Sequence, residues 1–178
     1  MTQQELPLSE VYALIEPGPV VLLTTARKGR PNVMTMSWHM MVEFEPPLIA
    51  CICSGGDYSF EALRATGECV IAIPSRKIAA KVVKVGNCSG RDTDKFKAFK
   101  LTPRPATQVQ APLIEECFVN LECKVIDKRM VNRYNMFILE VVQAWRDPKQ
   151  KNAKTIHHHG YGKFVVDGPA ITLKSKMR

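Results

Sequence analysis

Apolar residues along the chain fall in short runs that predict many strands and few helices. Val119, Leu121, Cys123 and Val125 alternate with polar residues, which is the period of a strand with one buried face. Further strands are predicted where β-branched and aromatic residues cluster between turn residues: Val20–Thr25, Val33–Trp38, Leu48–Cys53, Glu68–Ile73, Tyr134–Trp145 and two short runs within Phe164–Leu173. The first two strands flank Lys28–Pro31, so we expect a hairpin with a longer loop there.

Three segments place apolar residues at helical spacing instead. They are an opening segment with Leu8, Val11, Tyr12, Leu14 and Ile15, a second segment over Tyr58–Ala65, and a third over Arg76–Val85. A loop between two glycines, Gly86–Gly90, follows the third. Many short strands interrupted by two or three helices predict a mainly β protein, an antiparallel barrel with helical insertions.

Composition and charge limit the domain organisation and the partners. The 178 residues, 46% of them hydrophobic, fit one domain covering 1–178 with its own core. The formal charge of +8 would attract polyanions. Its lysines and arginines are spread over turns and segment edges, as in 76–84 and 149–154, without a nucleic-acid-binding motif. We therefore expect a solvated basic surface and no nucleic-acid partner, although a basic nucleic-acid- or metal-binding module stays open as a weaker alternative.

The first residues and the cysteines indicate a compartment. Residues 1–10 lack the basic and apolar regions of a signal peptide, and no stretch approaches the roughly 20 apolar residues that span a bilayer. The six cysteines include no C-x-x-C pair, which favours reduced thiols. We expect a cytoplasmic protein with no membrane contact.

The first candidate site segment is Asn32–His39. On a strand Asn32, Met34, Met36 and Trp38 would share one face, and Thr35 and Ser37 the other. A flavin ring needs a flat apolar contact and nearby hydrogen-bonding groups, which these two faces could supply. The alternative is a core strand with a buried tryptophan.

The second candidate segment, Cys53–Ser59, runs from a strand end to a helix start. Free backbone N–H groups at such a junction favour a phosphate, and the Ser54 and Ser59 hydroxyls would add donors. Asp57 would oppose an anion unless it turns away, and an ordinary capped turn explains the segment equally well.

The third and fourth candidate segments follow glycine-rich loops. In Gly86–Phe96, Arg91 and Lys95 could neutralise a phosphate or a reduced flavin, or else pair with Asp92 and Asp94. In Ile156–Phe164 three adjacent histidines suggest a metal, but only His157 and His159 would share a face. We expect no metal site, and no nucleophile with its base can be identified.

Taken in order, these motifs resemble the flavin reductase-like family with the FMN-binding split barrel, especially its flavoredoxin and ferric-reductase-like branch. The matching motifs are Asn32-x-Met34-Thr35-x-Ser37-Trp38, Glu45-Pro46-Pro47-Leu48, Tyr58-Ser59, Cys88-Ser89-Gly90-Arg91-Asp92, Asp94-Lys95-Phe96, His158-x-Gly160-x-Gly162-x-Phe164 and Asp167-Gly168. Together they span about residues 18–168. Tyr134-Asn135 stands where many flavin reductases carry Asp-His, which weakens any nicotinamide or proton-handling role assigned there by analogy.

The resemblance implies FMN near a homodimer interface. It places one group of residues around the ring and the ribityl phosphate, and a second group in the neighbouring loops. The implied cofactor-binding residues are Asn32, Met34, Thr35, Met36, Ser37, Trp38, Cys53, Ser54, Tyr58, Ser59, Asn87, Cys88, Ser89, Lys95 and Phe164. It implies an oxidoreductase that takes electrons from NAD(P)H or a redox protein and passes them to flavin, a ferric complex or a partner protein. A non-enzymatic FMN electron carrier is the alternative.

Overall fold

The structure, a computed structural model, describes residues 4–11, 18–160 and 162–174. Within these ranges the strands are β1 Gln4–Glu5, β2 Val21–Arg27, β3 Arg30–Met36, β4 His39–Phe44, β5 Pro47–Ile52, β6 Glu68–Ile73, β7 Pro103–Arg104, β8 Leu113–Ile114, β9 Val119–Asp127, β10 Met136–Arg146, β11 Ile156–His158 and β12 Phe164–Val166. The helices are α1 Tyr58–Thr66, α2 Ala79–Gly86, α3 Lys95–Ala98 and α4 Val131–Tyr134. Short 3₁₀ turns cover Leu8–Glu10, Arg76–Ile78 and Pro148–Gln150.

Eight of these strands form one antiparallel sheet in the order β3-β2-β6-β9-β10-β5-β4, with β1 paired to β10. Its concave face is apolar because alternate residues of every long strand point to it, among them Leu23, Ile49, Ile71, Leu121 and Phe137. Side chains from distant strands meet in this single cluster, which requires the sheet to curl around it.

A second apolar cluster lies on the outer face of β2, β3 and β6. Leu22, Val33 and Val70 on the strands meet Val82 and Val85 on α2 there. The helix places these two valines three residues apart on one side, while Lys84 is exposed to solvent. This packing fixes the C-terminal end of α2 against β3, where the candidate site lies.

Most predicted elements are confirmed, with shifted ends. Residues 76–85 begin as a 3₁₀ turn before α2, and Tyr134 ends α4 rather than starting a strand. The longer hairpin loop was wrong, because Lys28 and Gly29 both adopt positive φ in a two-residue turn that pairs Arg27 with Arg30. Of the opening helix, Leu8 lies in a 3₁₀ turn and Val11 is buried, whereas Tyr12, Leu14 and Ile15 lie outside the described residues.

Strand β4 was not predicted from the sequence. Trp38 lies between β3 and β4 instead of ending the hairpin, and His39–Phe44 pairs with β5 at the edge of the sheet. Met40, Val42 and Phe44 point outward, so the alternation marks an apolar surface rather than a core. In the two short runs of Phe164–Leu173 only Phe164–Val166 is a strand.

Two global features bear on the function. Among the described residues no helix combines the length and apolar character needed to cross a bilayer. All six cysteines are free thiols, and only Cys88 is partly exposed.

Candidate functional site

Three chain segments meet at a cavity of about 300 Å³ beside the outer end of β3. They are β3 itself, the start of α1, and the loop from the end of α2 to the start of α3. The residues that line the cavity are Asn32, Met34, Thr35, Gly56, Asp57, Tyr58, Ser59, Val85, Gly86, Asn87, Cys88, Ser89, Gly90, Arg91 and Lys95. Segments that are up to 63 residues apart, from Asn32 to Lys95, therefore form one site.

Buried polar side chains join the first two segments. The Asn32 Nδ2 donates to Ser59 Oγ at 2.8 Å, and both residues are buried. Gly90 from the third segment packs against the same pair. A Cβ at position 90 would lie 2.7 Å from Tyr58 Cδ1 and would overlap the Asn32 amide oxygen. Only glycine therefore lets the loop backbone approach this closely.

The start of α1 turns its carboxylate away from the helix. Asp57 is the residue before α1, and its Oδ2 accepts from the Ser54 N–H at 3.0 Å. Ser54 Oγ accepts from the Gly56 N–H at 3.3 Å. The Asp57 side chain makes no capping bond, and the Asp57 backbone carbonyl accepts from the Phe60 N–H at 3.1 Å, so among the described residues the Tyr58 and Ser59 amides are left to another acceptor.

Arg91 and Tyr58 close one side of the cavity. Arg91 Nη2 donates to the Gly56 carbonyl at 3.2 Å, and its guanidinium carbon lies 5.9 Å from the centre of the Tyr58 ring. The alternative prediction, ion pairs of Arg91 and Lys95 with Asp92 and Asp94, is not found among the described residues. Asp94 instead accepts from the Lys97 N–H at the start of α3. The Arg91 guanidinium therefore lies at the cavity rim.

Lys95 supplies a second, buried positive charge. Its side chain is 5% exposed, and its Nζ donates to the Val85 carbonyl at 2.8 Å. Burial lowers the pKa of Lys95, while the Cys88 thiol and the Asp57 carboxylate oppose that shift. A buried ammonium with one neutral partner has unused donors, and a bound anion would satisfy them.

The helix end on the other side is held by Thr35. Its Oγ1 donates to the Val82 carbonyl at 2.6 Å, and a Cβ on Gly86 would lie 3.4 Å from the Thr35 Cβ. Because Thr35 lies beside residues 82–86 and Asn32 beside Gly90, α2 and its loop run antiparallel to β3. The cavity therefore extends along β3 from Asn32 to Thr35.

Nine of the fifteen residues predicted to bind the cofactor line this cavity. They are Asn32, Met34, Thr35, Tyr58, Ser59, Asn87, Cys88, Ser89 and Lys95. The other six lie around it or apart from it: Met36, Ser37, Trp38, Cys53, Ser54 and Phe164.

Two of the six belong to the apolar core. Met36 is 5% exposed on the concave face. Cys53 Sγ lies 3.8 Å from Met34 Sδ, and burial, helped by the Asp57 charge, raises the pKa of its thiol to about 12. Such a thiol packs as a small apolar group and stays protonated.

The candidate segment Asn32–His39 lies next to the candidate segment Cys53–Ser59. The Ile52 N–H donates to the Trp38 carbonyl at 3.0 Å, immediately before Cys53 and Ser54. The Trp38 side chain itself is 69% exposed, not buried in a core. Ser37 is half-buried between this side chain and the end of β3.

Phe164 lies on the small hairpin of β11 and β12, where its ring centre is 5.2 Å from that of His158. His157 Nε2 is 2.7 Å from Asp167 Oδ1, and Thr155 Oγ1 donates to Asp167 Oδ2 at 2.6 Å. Across the described part of the chain no group of three or more ligand side chains is arranged to hold a metal ion. The histidine at position 157 instead ties the hairpin to Asp167.

Several lining residues were absent from the predicted set. Gly90 and Arg91 lie in the glycine-rich motif, which pointed to close backbone approach and to anion binding. Gly56 and Asp57 adjoin predicted serines. Val85 had no sequence signal, because it contributes through the carbonyl that holds Lys95.

Asn135 has a structural explanation. It adopts φ 55°, the left-handed conformation that asparagine tolerates best among residues with a side chain, and its carbonyl accepts from the Cys53 N–H at 3.1 Å. The Arg133 guanidinium carbon lies 5.2 Å from the ring centre of Tyr134, which is exposed. Asn135 thus orients the strand end that carries Cys53 and Ser54.

Chemically, the cavity suits a phosphate ester with a polar chain. It offers the cations Arg91 and Lys95, the donors of Ser59, Ser89 and Asn87, and the uncapped start of α1. Among the described residues that line the cavity, Asp57 alone carries a carboxylate, and that carboxylate accepts from the Ser54 amide.

Comparison with known proteins agrees with this architecture. The sequence profile of the family described as "Flavin reductase like domain" matches residues 14–164. An uncharacterised Escherichia coli protein, YddH, is 31% identical over 93% of this chain and 95% of its own length.

Two solved structures share the fold. An FMN-binding domain of a flavin reductases-like enzyme from Shewanella baltica has a TM-score of 0.91 at 24% identity, covering 97% of this chain and 98% of its own. The flavoredoxin of Desulfovibrio vulgaris has a TM-score of 0.80 at 25% identity, covering 89% and 91%. The predicted fold class, a mainly β antiparallel split barrel with helical insertions, is confirmed.

Proposed function

Because this chain belongs to the family of flavin reductase like domains, as its motifs indicated, we propose that it is an FMN-binding oxidoreductase-type flavoprotein. The observation that carries the proposal is the approach of Gly90 to Asn32 and Tyr58 beside the buried cation of Lys95. A glycine-lined backbone next to a buried ammonium fits a phosphate ester. The family and the FMN-binding solved structure support FMN as that ester.

We assign the phosphate end of FMN to the cavity. Lys95, Arg91 and the first amides of α1 would hold the phosphate, while Ser59, Ser89 and Asn87 would hydrogen-bond the phosphate or the ribityl chain. The Asn32–Ser59 bond fixes two of these groups before any ligand binds, which lowers the entropic cost of binding.

The flavin ring would extend along β3 past Thr35, which lines the cavity, toward Ser37 and Trp38. FMN would supply the redox chemistry there, and the protein would orient the ring and shield one face. Met36, Cys53 and Ser54 would support this edge from behind, and Phe164 would close over it. Trp38→Ala should weaken FMN binding by lost stacking, and Lys95→Ala by a lost charged contact, both measured by flavin fluorescence titration. Unchanged affinity in both variants would refute the assignment.

For the electron donor we propose NAD(P)H, with transfer to free flavin, a ferric complex or a redox protein. The similarity to a flavoredoxin favours a second candidate, an FMN electron carrier that receives electrons from a protein. Rapid mixing of the FMN-loaded protein with NADH and with NADPH separates them. Bleaching of the oxidised flavin absorbance supports the reductase, and flavin that stays oxidised with both donors rejects it.

We propose that the working form is a homodimer built on the β4 surface. Trp38, Met40, Val42 and Phe44 form an apolar row on a sheet edge, with exposed fractions of 69%, 60%, 48% and 61%. Such a row on a sheet edge favours burial against another chain, and Trp38 would bring that chain to the flavin ring. Light scattering of the FMN-loaded protein tests this, and a monomer would contradict it.

For the location we propose the cytoplasm, which is supported by the six free thiols.

A further inference from the structure

A second cavity, of about 570 Å³, lies apart from the flavin site and is strongly basic. It is lined by Ser75, Arg76, Lys77, Pro148, Lys149, Gln150, Lys151, Asn152, Ala153 and Lys154. Five of these ten residues are cationic, and none carries a carboxylate. The basic runs at 76–84 and 149–154 are separate along the sequence, but the fold brings residues 75–77 and 148–154 together in one concave surface.

The two walls of this basic cavity are held by backbone bonds. The Arg76 N–H donates to the Lys154 carbonyl at 2.7 Å. The buried Asp147 accepts from the Lys149 N–H at 2.9 Å and from Gln150 Nε2 at 3.0 Å. Arg146 Nη2 donates to the Lys151 carbonyl at 3.1 Å. The lysine side chains are therefore exposed on a loop whose backbone is fixed.

Two carboxylates lie near these cations and are both engaged elsewhere. Asp147 is committed to the loop that carries Lys149 and Gln150. Asp167 binds Thr155 and His157, while Lys154 Nζ donates to its backbone carbonyl at 2.9 Å. Neither offsets the charge of Arg76, Lys77, Lys149 or Lys151 by an ion pair among the described residues.

The basic cavity lies at the ring end of the proposed flavin site. Its residue Lys154 is two positions from Ile156, whose carbonyl accepts from the Val20 N–H at 2.8 Å. Val21 pairs with Met36 at the end of β3 that leads to Ser37 and Trp38. In addition, α2 connects the two sites. Arg76 of the basic cavity precedes the helix, and Gly86 at its other end lines the flavin cavity. At 1.5 Å per residue, Arg76 and Gly86 lie about 15 Å apart.

We propose that the basic cavity binds the phosphate groups of the dinucleotide electron donor, and that it favours NADPH over NADH. The inference rests on the proposed function and names the part of the donor that this chain would recognise. A nicotinamide that meets the flavin ring carries its phosphates outside the ring contact, and the basic cavity offers five cationic side chains for them. Clustered lysine and arginine side chains bind phosphate, and the 2′-phosphate of NADPH adds negative charge that NADH lacks.

Binding of 2′,5′-ADP, measured by calorimetry on the FMN-loaded protein at low salt, tests the cavity without any redox step. The variant is Lys149→Gln with Lys151→Gln, and the matched control is Lys97→Gln with Lys124→Gln, which removes two exposed charges elsewhere. We expect 2′,5′-ADP to bind the wild-type and control proteins and to bind the variant about tenfold more weakly, because two nearby charges are lost. We also expect 5′-AMP to bind the wild type more weakly than 2′,5′-ADP does.

Three results would overturn the proposal: no 2′,5′-ADP binding to the wild type, equal binding to variant and wild type, or equal affinity for 2′,5′-ADP and 5′-AMP. FMN affinity is measured in parallel and should not change in the variant. A wild-type protein that binds no FMN would refute the proposed function, whereas the 2′,5′-ADP titration, which can be run without flavin, would still decide the fate of the basic cavity.

Discussion

Replacing Gly90 with alanine tests the flavin cavity most directly. The new Cβ would lie 2.7 Å from Tyr58 Cδ1 and would overlap the Asn32 amide, closer than a real Cβ is found to any neighbour. Forcing a methyl group into such a contact costs about 1–3 kcal/mol. If Asn32 moves to relieve it, the buried bond to Ser59 breaks, which costs about 1 kcal/mol more.

Part of this cost falls on the bound state, because Asn32, Tyr58 and Ser59 all line the cavity. At about 1.4 kcal/mol per factor of ten, we expect FMN to bind Gly90→Ala about 10- to 100-fold more weakly than the wild type. Fluorescence quenching of free FMN on titration with apoprotein measures the dissociation constant, and thermal unfolding measured by circular dichroism shows whether the fold persists.

Gly168→Ala is the matched control, since a Cβ at position 168 would meet no atom within 4 Å. It should leave both FMN affinity and the melting temperature unchanged. Because the clash involves Asn32, the destabilisation by Gly90→Ala should be smaller in an Asn32→Ala background. A Gly90→Ala protein with wild-type affinity, or a penalty that is the same with and without the Asn32 side chain, would refute the reasoning.

Three further outcomes follow from the same contacts. Of the six cysteines only Cys88 is partly exposed, and it lines the flavin cavity. Ellman's reagent should therefore modify one thiol quickly in the apoprotein, the same thiol more slowly in the FMN-loaded protein, and no thiol quickly in Cys88→Ser. Fast labelling of several thiols in the wild type would contradict the burial of the other five. Burial raises the pKa of Cys53 from 9.0 to about 12, so the folded thiol stays protonated at a pH where the unfolded thiol ionises. The free energy of unfolding, measured by urea unfolding, should therefore fall as pH rises above about 9, and it should fall less steeply in Cys53→Ala. The same dependence of unfolding free energy on pH in both proteins would argue against it. If the proposed homodimer forms on the β4 row, Val42→Arg should give a monomer in light scattering. Ile171→Arg, at a residue that is 78% exposed elsewhere, should keep the mass of the wild type, and equal masses for the two variants would exclude the β4 surface as the interface.

Patterns that act within one segment were predictable. The strict alternation of Val119–Val125 predicts a strand with one apolar face, and the spacing of Val82 and Val85 predicts the side of α2 that packs on β3. The expectation that only one face of this strand is buried was wrong, because Asn120 and Glu122 on the other face are fully buried and hydrogen-bonded to Ile114 and Trp145. The glycines around Cys88 and Ser89 indicated a loop that something approaches closely, and Gly90 is that point of approach. The ordered motifs also indicated the family, since they record which residue types stand at which distance along the chain.

The hairpin turn and β4 show where local pattern was insufficient. Lys28 at φ 51° takes a conformation that its residue type does not announce, so the two-residue turn was missed. In β4 the alternation of Met40, Val42 and Phe44 is the same for a core-facing strand as for a surface row. Which face is covered depends on the strands that flank it, here only β5 among the described residues.

The sequence by itself determined that this chain is a mainly β protein with candidate cofactor segments at Asn32–His39, Cys53–Ser59 and Gly86–Phe96. The tertiary structure decided which side chains those segments share: the Asn32 bond to Ser59, the burial of Lys95 under the Val85 carbonyl, and the union of Arg76 with Lys149 and Lys151 in a basic cavity. The physical reason is that periodicity and turn chemistry act over a few neighbouring residues, whereas a site is built from contacts between residues that are distant along the chain and adjacent only after the sheet has curled.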